Sequence, residues 1–378
     1  MGGSSLKKLS LIMGMIFVLL LAGCLNAQDA PSNSSSSGEA KDESDGKVYN
    51  WKMVSTWGGG SLQYEYDQYF VNLVDKLSDG RLKIKLHAAG ELAPATEVLN
   101  MVNTGTVEMG SDWPSYWTGT NTAFDLLGSQ AMGLTNWDYL LWIEQAGGRE
   151  IYNEIYGKYN TVYFPTSISG MESGIRSNKP IKSIADFKGL KIRMAGLIQS
   201  ELIQQLGATP VTLATTEVYE ALQRGVVDGA EYSAPQADEM LKVHEVTDYW
   251  LTPGFHQTSS VYGVMVNKEE WKALPDDLKA VIEEASKSAL LSLTADYTYG
   301  DSQAAIRIAD SGITLTQLPQ ADLEKIREIK NGIVKKLASE NPDYEKVLQS
   351  QVDYLKSYER YRDMQGEWNF GSNAIIPK

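Results

Sequence analysis

Side chains able to make or break bonds are scarce in this chain. It has three histidines, His87, His244 and His256, and one cysteine, Cys24. The histidines fall on different segments, none with a serine or cysteine in a triad arrangement, and each reads as structural or surface. No G-x-S-x-G, Walker A, H-E-x-x-H or dinucleotide fingerprint occurs. A single cysteine excludes an internal disulfide, and with so few histidines a Cys/His structural zinc site is excluded too. Gly58–Ser61 ("GGGS") precedes a helical pattern and could present backbone N–H groups to an anion, although such a run is more often just a turn. What remains is recognition chemistry. Arg193, in the short apolar segment "KIRMA", carries a planar guanidinium whose parallel N–H donors match a carboxylate edge.

The elements that must position such a residue alternate between strand and helix. "RLKIKLH" (81–87) places Leu82, Ile84 and Leu86 on one strand face. Before it, Tyr66, Tyr69, Phe70, Leu73, Val74 and Leu77 recur at helical spacing, and Gly80 stops the helix. "TEVLNMVNTG" reads as a helix leading into the strand "VEMGSD". The same grammar repeats between 170 and 232: a capped turn at Ser183 with Asp186 in capping-box register, strand "LKIRMA", helix "QSELIQQLG", strand "TPVTL", helix "TEVYEALQRG" and strand "VDGAEYS". This is α/β patterning with crossover helices, and its repetition suggests two lobes. From Asp276 to Ser311 there is no proline and one glycine, Gly300, which predicts a helix of roughly 54 Å if unbroken, or two helices meeting at Gly300. The last helical segment carries an apolar stripe (Tyr344, Val347, Leu348, Val352, Leu355, Tyr358) that packs on its own body or on a second subunit.

The chain of 378 residues is long enough for two cores, and its 48 acidic against 34 basic residues give a net charge of −14. That charge argues against nucleic acid and against an anionic membrane surface as electrostatic partners. At the N-terminus Lys7 and Lys8 precede an apolar run, Leu11–Ala22, too short to span a bilayer. The run ends in "LAGC", which resembles the lipobox of prokaryotic lipoproteins; that resemblance implies a signal peptide over 1–23 and lipidation of Cys24, hence a membrane-anchored, extracytoplasmic protein. Residues 25–47 are Ser-, Gly- and acid-rich and suit a tether of about 25–30 Å.

Four blocks in order, "SDGRLKIKLHAAGELAPATEVLNMVNTGTVEMG", "DFKGLKIRMAG", "GATPVTLATTEVYEALQRGVVDGAEYSAP" and "LTPGFHQTSSVYGVMVNKEEW", resemble the extracytoplasmic solute-binding proteins of TRAP transporters, in particular the subgroup for 2-oxo and 2-hydroxy monocarboxylates. The resemblance implies an α/β, two-lobed periplasmic-binding-protein-like fold with a long helix spanning both lobes. Lobe I would hold 48–169 and 258–297, lobe II 170–257 and 298–318, with C-terminal helices over 319–378. The implied function is capture of a small organic acid such as pyruvate or lactate for the membrane subunits of a TRAP transporter, without catalysis. A carboxylate-dependent hydrolase and a ligand-sensing module for a signalling receptor are the alternatives, and a homodimer is one outcome that the C-terminal stripe allows.

Site residues carry over singly. Arg193 matches the family's carboxylate-gripping arginine. Glu231 and Tyr232 match an acidic–aromatic pair in which the acid, with the aromatic residue's carbonyl, holds a cation while the aromatic ring walls the substrate pocket; Tyr stands here for the usual Trp. Glu172 falls where the subgroup has a Gln, and Gln257 where it has a Glu, so acid and amide have exchanged places; a slip of one residue would bring Ser173 to the Glu172 position. Glu172 is thus expected to meet both substrate and metal. Tyr116 matches a pocket tyrosine, with Trp57, Trp113 and Trp117 as further walls. Two glutamates plus a ligand carboxylate against one arginine leave a charge that a cation would balance, Ca²⁺ by this sum, with Na⁺ as the alternative.

Overall fold

The computed structural model describes residues 46–365. The expected signal peptide, Cys24 and all but the end of the tether lie outside the described residues, as does 366–378.

Among the described residues eleven strands form two sheets. β1 (Tyr49–Val54), β2 (Leu82–His87), β3 (Met109–Asp112), β4 (Thr161–Ile168) and β10 (Val261–Asn267) assemble in the order β2-β1-β3-β10-β4. β5 (Ile175–Ser177), β6 (Lys191–Arg193), β7 (Thr209–Val211), β8 (Gly229–Ala230), β9 (Tyr249–Thr252) and β11 (Thr314–Gln317) assemble as β11-β9-β5-β8-β6-β7. β1 pairs in parallel with β2 and β3, whereas β10, returning from the second sheet, runs antiparallel to β3 and β4. In the second sheet β6 is parallel to β7 and β8, and β5 is antiparallel to β8 and β9.

Side-chain alternation gives the first sheet two buried faces. Met53, Val264 and Val266 point toward helix Leu62–Leu77 and the long helix, meeting Phe70, Val74, Ala285 and Ala289. Val54, Tyr163 and Met265 point to the other side, where Phe124, Trp142, Tyr152 and Tyr156 are buried. The repeated grammar of the sequence folds alike in both sheets. Each "TEV" segment opens with a 3-10 turn (Ala95–Glu97; Thr215–Glu217), continues as one short helix (Val98–Asn103; Val218–Gln223) and ends at a glycine with positive φ, Gly105 or Gly225. The Ser183–Asp186 capping box is present.

The chain passes between the sheets after β4, again between β9 and β10, and along the long helix. The first two passages run side by side: Ser169 N–H donates to Ser260 O at 2.9 Å and Glu172 N–H to Thr258 O at 3.1 Å. The helix Asp276–Asp310 is continuous over 35 residues, about 52 Å. Gly300 does not break it; a Cβ there would overlap the Gln236 carboxamide, so the glycine admits a close neighbour. The next residue, Asp301, accepts from Gln236 N–H at 2.9 Å and from Gly170 N–H at 3.1 Å, tying the short helix after β8 and the passage after β4 to the long helix.

Two more helices, Gln320–Glu340 and Pro342–Gln365, close the described chain. Tyr344, Val347 and Tyr354 are buried in the core, with Leu348, Leu355 and Tyr358 packed against it. The stripe packs largely on the protein's own body, against Ala123–Gly128 and Gly148–Gly157.

Candidate functional site

Arg193 ends β6, and its backbone pairs with Ala230 of β8. β8 is only two residues long, so the chain leaves the ladder at Glu231, whose N–H still donates to Arg193 O at 3.1 Å. This places the two side chains together. Arg193 Nη1 donates to the Glu231 backbone O and to Glu231 Oε1, both at 2.7 Å, and Ala195 N–H donates to the same Oε1 at 2.6 Å. Both residues are buried. Among the described residues the Nε–Nη2 edge of the guanidinium finds no hydrogen-bond partner, and Nε is fully buried. A buried donor pair held in place from its far side is a geometry that grips a carboxylate.

Burial pushes the Glu231 carboxyl above its usual range, and the Arg193 charge pulls it back. Its second oxygen, Oε2, lies 3.8 Å from His256 Nε2. His256 is completely buried, and desolvation followed by repulsion from Arg193 pushes it down to about 3, so it is neutral at physiological pH.

Glu172 lies in the first passage between the sheets and is buried one layer behind the cavity wall. Glycine at 254 makes room for this, since a Cβ there would overlap the Glu172 backbone. Gln257 Nε2 donates to Glu172 Oε1 at 2.9 Å and to Ser260 Oγ at 2.6 Å; Ser260 Oγ in turn donates to Glu172 Oε1 at 3.2 Å. Glu172 Oε2 is buried without a partner. Burial, then the Glu231 and Asp238 charges, hold this carboxyl well above the ordinary range. The residues whose acid and amide appear exchanged are therefore a directly bonded pair: Gln257 borders the cavity and Glu172 stands behind it.

The cavity offers about 20 Å³ to the centre of a water-sized sphere, room for a water or two or for a few heavy atoms. Arg193, Glu231, Tyr232, Gln257 and Tyr116 all line it. Tyr116 comes from the turn Pro114–Trp117 and packs against Trp57 and Trp113 at ring separations of 5.5 and 5.4 Å. Burial pushes its hydroxyl up to about 12, leaving it a donor. Of the three candidate tryptophan walls, Trp57 and Trp113 border the cavity; Trp117 instead turns inward to donate to buried Asp112.

Several lining residues were not anticipated: Gln63, Thr215, Ser260 and Tyr262. Behind them, Gln199 Nε2 donates to Ser129 Oγ at 3.0 Å and approaches Gln257 Oε1 at 3.4 Å. Gln199 lies on helix Leu197–Gln205, whose N-terminus has no cap of its own; Asp125, from Ala123–Gly128, accepts from Leu197 N–H at 3.2 Å instead. Burial pushes Asp125 up to about 7.

A hard cation suits this donor set. The Glu231 carboxylate, the Gln257 amide and the residue Tyr232 border one cavity, and Glu172, whose Oε2 has no partner among the described residues, stands behind them.

Comparison with known proteins places this geometry. The sequence model of the bacterial extracellular solute-binding proteins, family 7 (DctP), matches residues 53–341. The monocarboxylate 2-oxoacid-binding periplasmic protein of Nostoc sp. is 29% identical over 327 residues, 86% of this chain and 89% of that one. A TRAP periplasmic solute-binding protein from Colwellia psychrerythraea, solved with bound calcium and pyruvate, superposes with a TM-score of 0.80 at 25% identity, covering 84% of this chain and 97% of that one. Another, from Pseudoalteromonas atlantica with bound sodium and pyruvate, gives 0.79 at 25% identity, covering 86% and 100%.

Proposed function

This chain belongs to family 7 of the bacterial extracellular solute-binding proteins, and from that premise we propose that it captures a short 2-oxo or 2-hydroxy monocarboxylate, such as pyruvate or lactate, together with a calcium ion. Sodium is the alternative cation. The observation that carries the reading is Arg193: buried, anchored by Glu231 through Nη1, with its Nε–Nη2 edge free of protein partners beside a cavity of a few heavy atoms.

In this reading Glu231 orients the guanidinium before the ligand arrives, so little side-chain freedom is lost on binding. The ligand carboxylate takes the free edge, and Tyr116 donates to a ligand oxygen. Glu231, Gln257 and the Tyr232 carbonyl would hold the cation, with Glu172 behind them; when bound, it supplies the positive charge that lets two acids and an anionic ligand coexist. Aromatic walls at Trp57, Trp113 and Tyr116 exclude water and strengthen each of these contacts. Residues 48–169 with 258–297 and 170–257 with 298–318 act as the two closing lobes. Lipidation at Cys24 after removal of 1–23, and the tether to residue 47, would keep the receptor beside the membrane subunits of its TRAP transporter.

Titration calorimetry with pyruvate, lactate and longer 2-oxo acids, with and without a calcium chelator, tests the proposal. Micromolar or tighter binding of a short 2-oxo acid that weakens on chelation supports it. Preference for dicarboxylates or sugars overturns the ligand class, and binding indifferent to chelation removes the cation.

A further inference from the structure

One contact in the cavity wall joins elements of the two sheets by a single neutral hydrogen bond. Gln63 stands in the first turn of helix Leu62–Leu77, which packs on the first sheet; Tyr232 follows β8 of the second. The Tyr232 hydroxyl donates to Gln63 Oε1 at 3.3 Å, and both residues border the cavity. Neither side chain is free to drift. Ser61 caps the helix, accepting from Tyr64 N–H at 3.3 Å and donating to Gly58 O at 2.8 Å, which fixes the turn carrying Gln63. Gln63 is itself buried, and the Tyr232 ring packs against the cluster around Trp57 and Tyr262.

The other hydrogen bonds that lining residues make to one another are shorter, while Tyr262 of the lining meets Ser233 behind it at 3.4 Å. Arg193 meets Glu231 through a charge-assisted pair at 2.7 Å, and Gln257 is held at 2.9 and 2.6 Å by Glu172 and Ser260. The tyrosine–carboxamide contact is longer and carries no charge, so it is where the wall yields first to an oversized occupant.

Resting on the organic-acid reading above, we propose that the Tyr232–Gln63 bond sets the upper length of the ligand. In this proposal a two- or three-carbon acid is the largest occupant that leaves the bond intact. Each additional methylene must part the hydroxyl from the carboxamide and leave two polar groups without partners in a site that excludes water. The Ser61-capped turn and the short strand β8 thus meet in a specificity element that neither sheet contains alone.

Calorimetry on the full chain with calcium present, comparing pyruvate with unbranched 2-oxopentanoate, tests the proposal. The wild type should favour pyruvate by about tenfold to a hundredfold, the range set by stranding buried polar groups. Gln63→Ala, which removes the acceptor and opens space, should shift the pyruvate-to-oxopentanoate ratio at least tenfold toward the longer acid. Tyr232→Phe, which keeps the ring and the backbone carbonyl, should shift it the same way by less. Should circular dichroism show Gln63→Ala unfolded, the Tyr232→Phe ratio decides alone. If the wild type binds pyruvate and the ratio stays within twofold in the folded variants, the length stop is wrong and the organic-acid reading survives. If the wild type binds neither acid, that reading fails and takes this inference with it.

Discussion

Gln257→Glu places a second carboxylate against Glu172, whose Oε1 now accepts from the Gln257 amide at 2.9 Å. Were both ionised, two full charges about 3 Å apart would repel by about 5–6 kcal/mol at an effective dielectric of about 20, and Glu172 is already pushed toward its neutral form. Sharing a proton relieves part of that, leaving about 2–4 kcal/mol of destabilisation near pH 7.5. Glu172→Gln alone should cost little or be mildly stabilising, because an amide oxygen can still accept from Gln257 while a buried acid disappears. The double variant, Glu172→Gln with Gln257→Glu, again has one acid and one amide and should recover most of the loss. A double-mutant cycle by urea unfolding should therefore show a coupling of about 2 kcal/mol. The recovered protein should also bind calcium more tightly than the wild type, because its acid now borders the cavity. Additive unfolding energies, within about 0.5 kcal/mol, would refute the claim that these residues form one bonded pair.

Arg193→Lys replaces a two-edged donor by a point charge, so pyruvate affinity measured by calorimetry should fall at least a hundredfold while circular dichroism stays unchanged. A loss under threefold would show that the guanidinium edge is not used. Asp125→Asn isolates one buried acid. Its folded pKa of about 7 lies above the ordinary carboxylate value, so the folded state binds the extra proton and the wild type is favoured at low pH. Relative to the variant, wild-type stability should fall as pH rises from about 4 through 7, by at most about 1.4 kcal/mol per pH unit, and level off above that. A difference that rises with pH across this window would contradict the assignment.

Much of the framework is legible in the sequence because apolar periodicity and burial coincide. The Leu82, Ile84, Leu86 alternation, the capping box at Ser183 and the proline-free run from Asp276 each report a local rule that the fold obeys. The site is less legible because layers are not written in spacing. Arg176 and Arg193 look alike, each a basic residue in a three-residue strand. Only the structure shows Arg176 committed to Asp238 at 3.3 Å and stacked on Trp250, with Arg193 left at the cavity. The resemblance puts Glu172 on the ligand, whereas its burial behind Gln257 depends on a glycine 82 positions along the chain, Gly254. Gln63 gave no signal beyond its place near a helix start, since a polar residue there ordinarily faces water. Short strand β8 could not be bounded from "VDGAEYS", because its length is decided by the departure of Glu231 toward Arg193.

The attachment at Asp301 has a mechanical consequence. A rod of about 52 Å holds two backbone segments through this one carboxylate, the passage that leaves β4 and the helix Pro235–Met240, so neither segment can slide along it without giving up a contact. Two turns further on, Arg307 donates to Glu239 of the same short helix at 2.7 Å, so that helix is moored at two points on one rod.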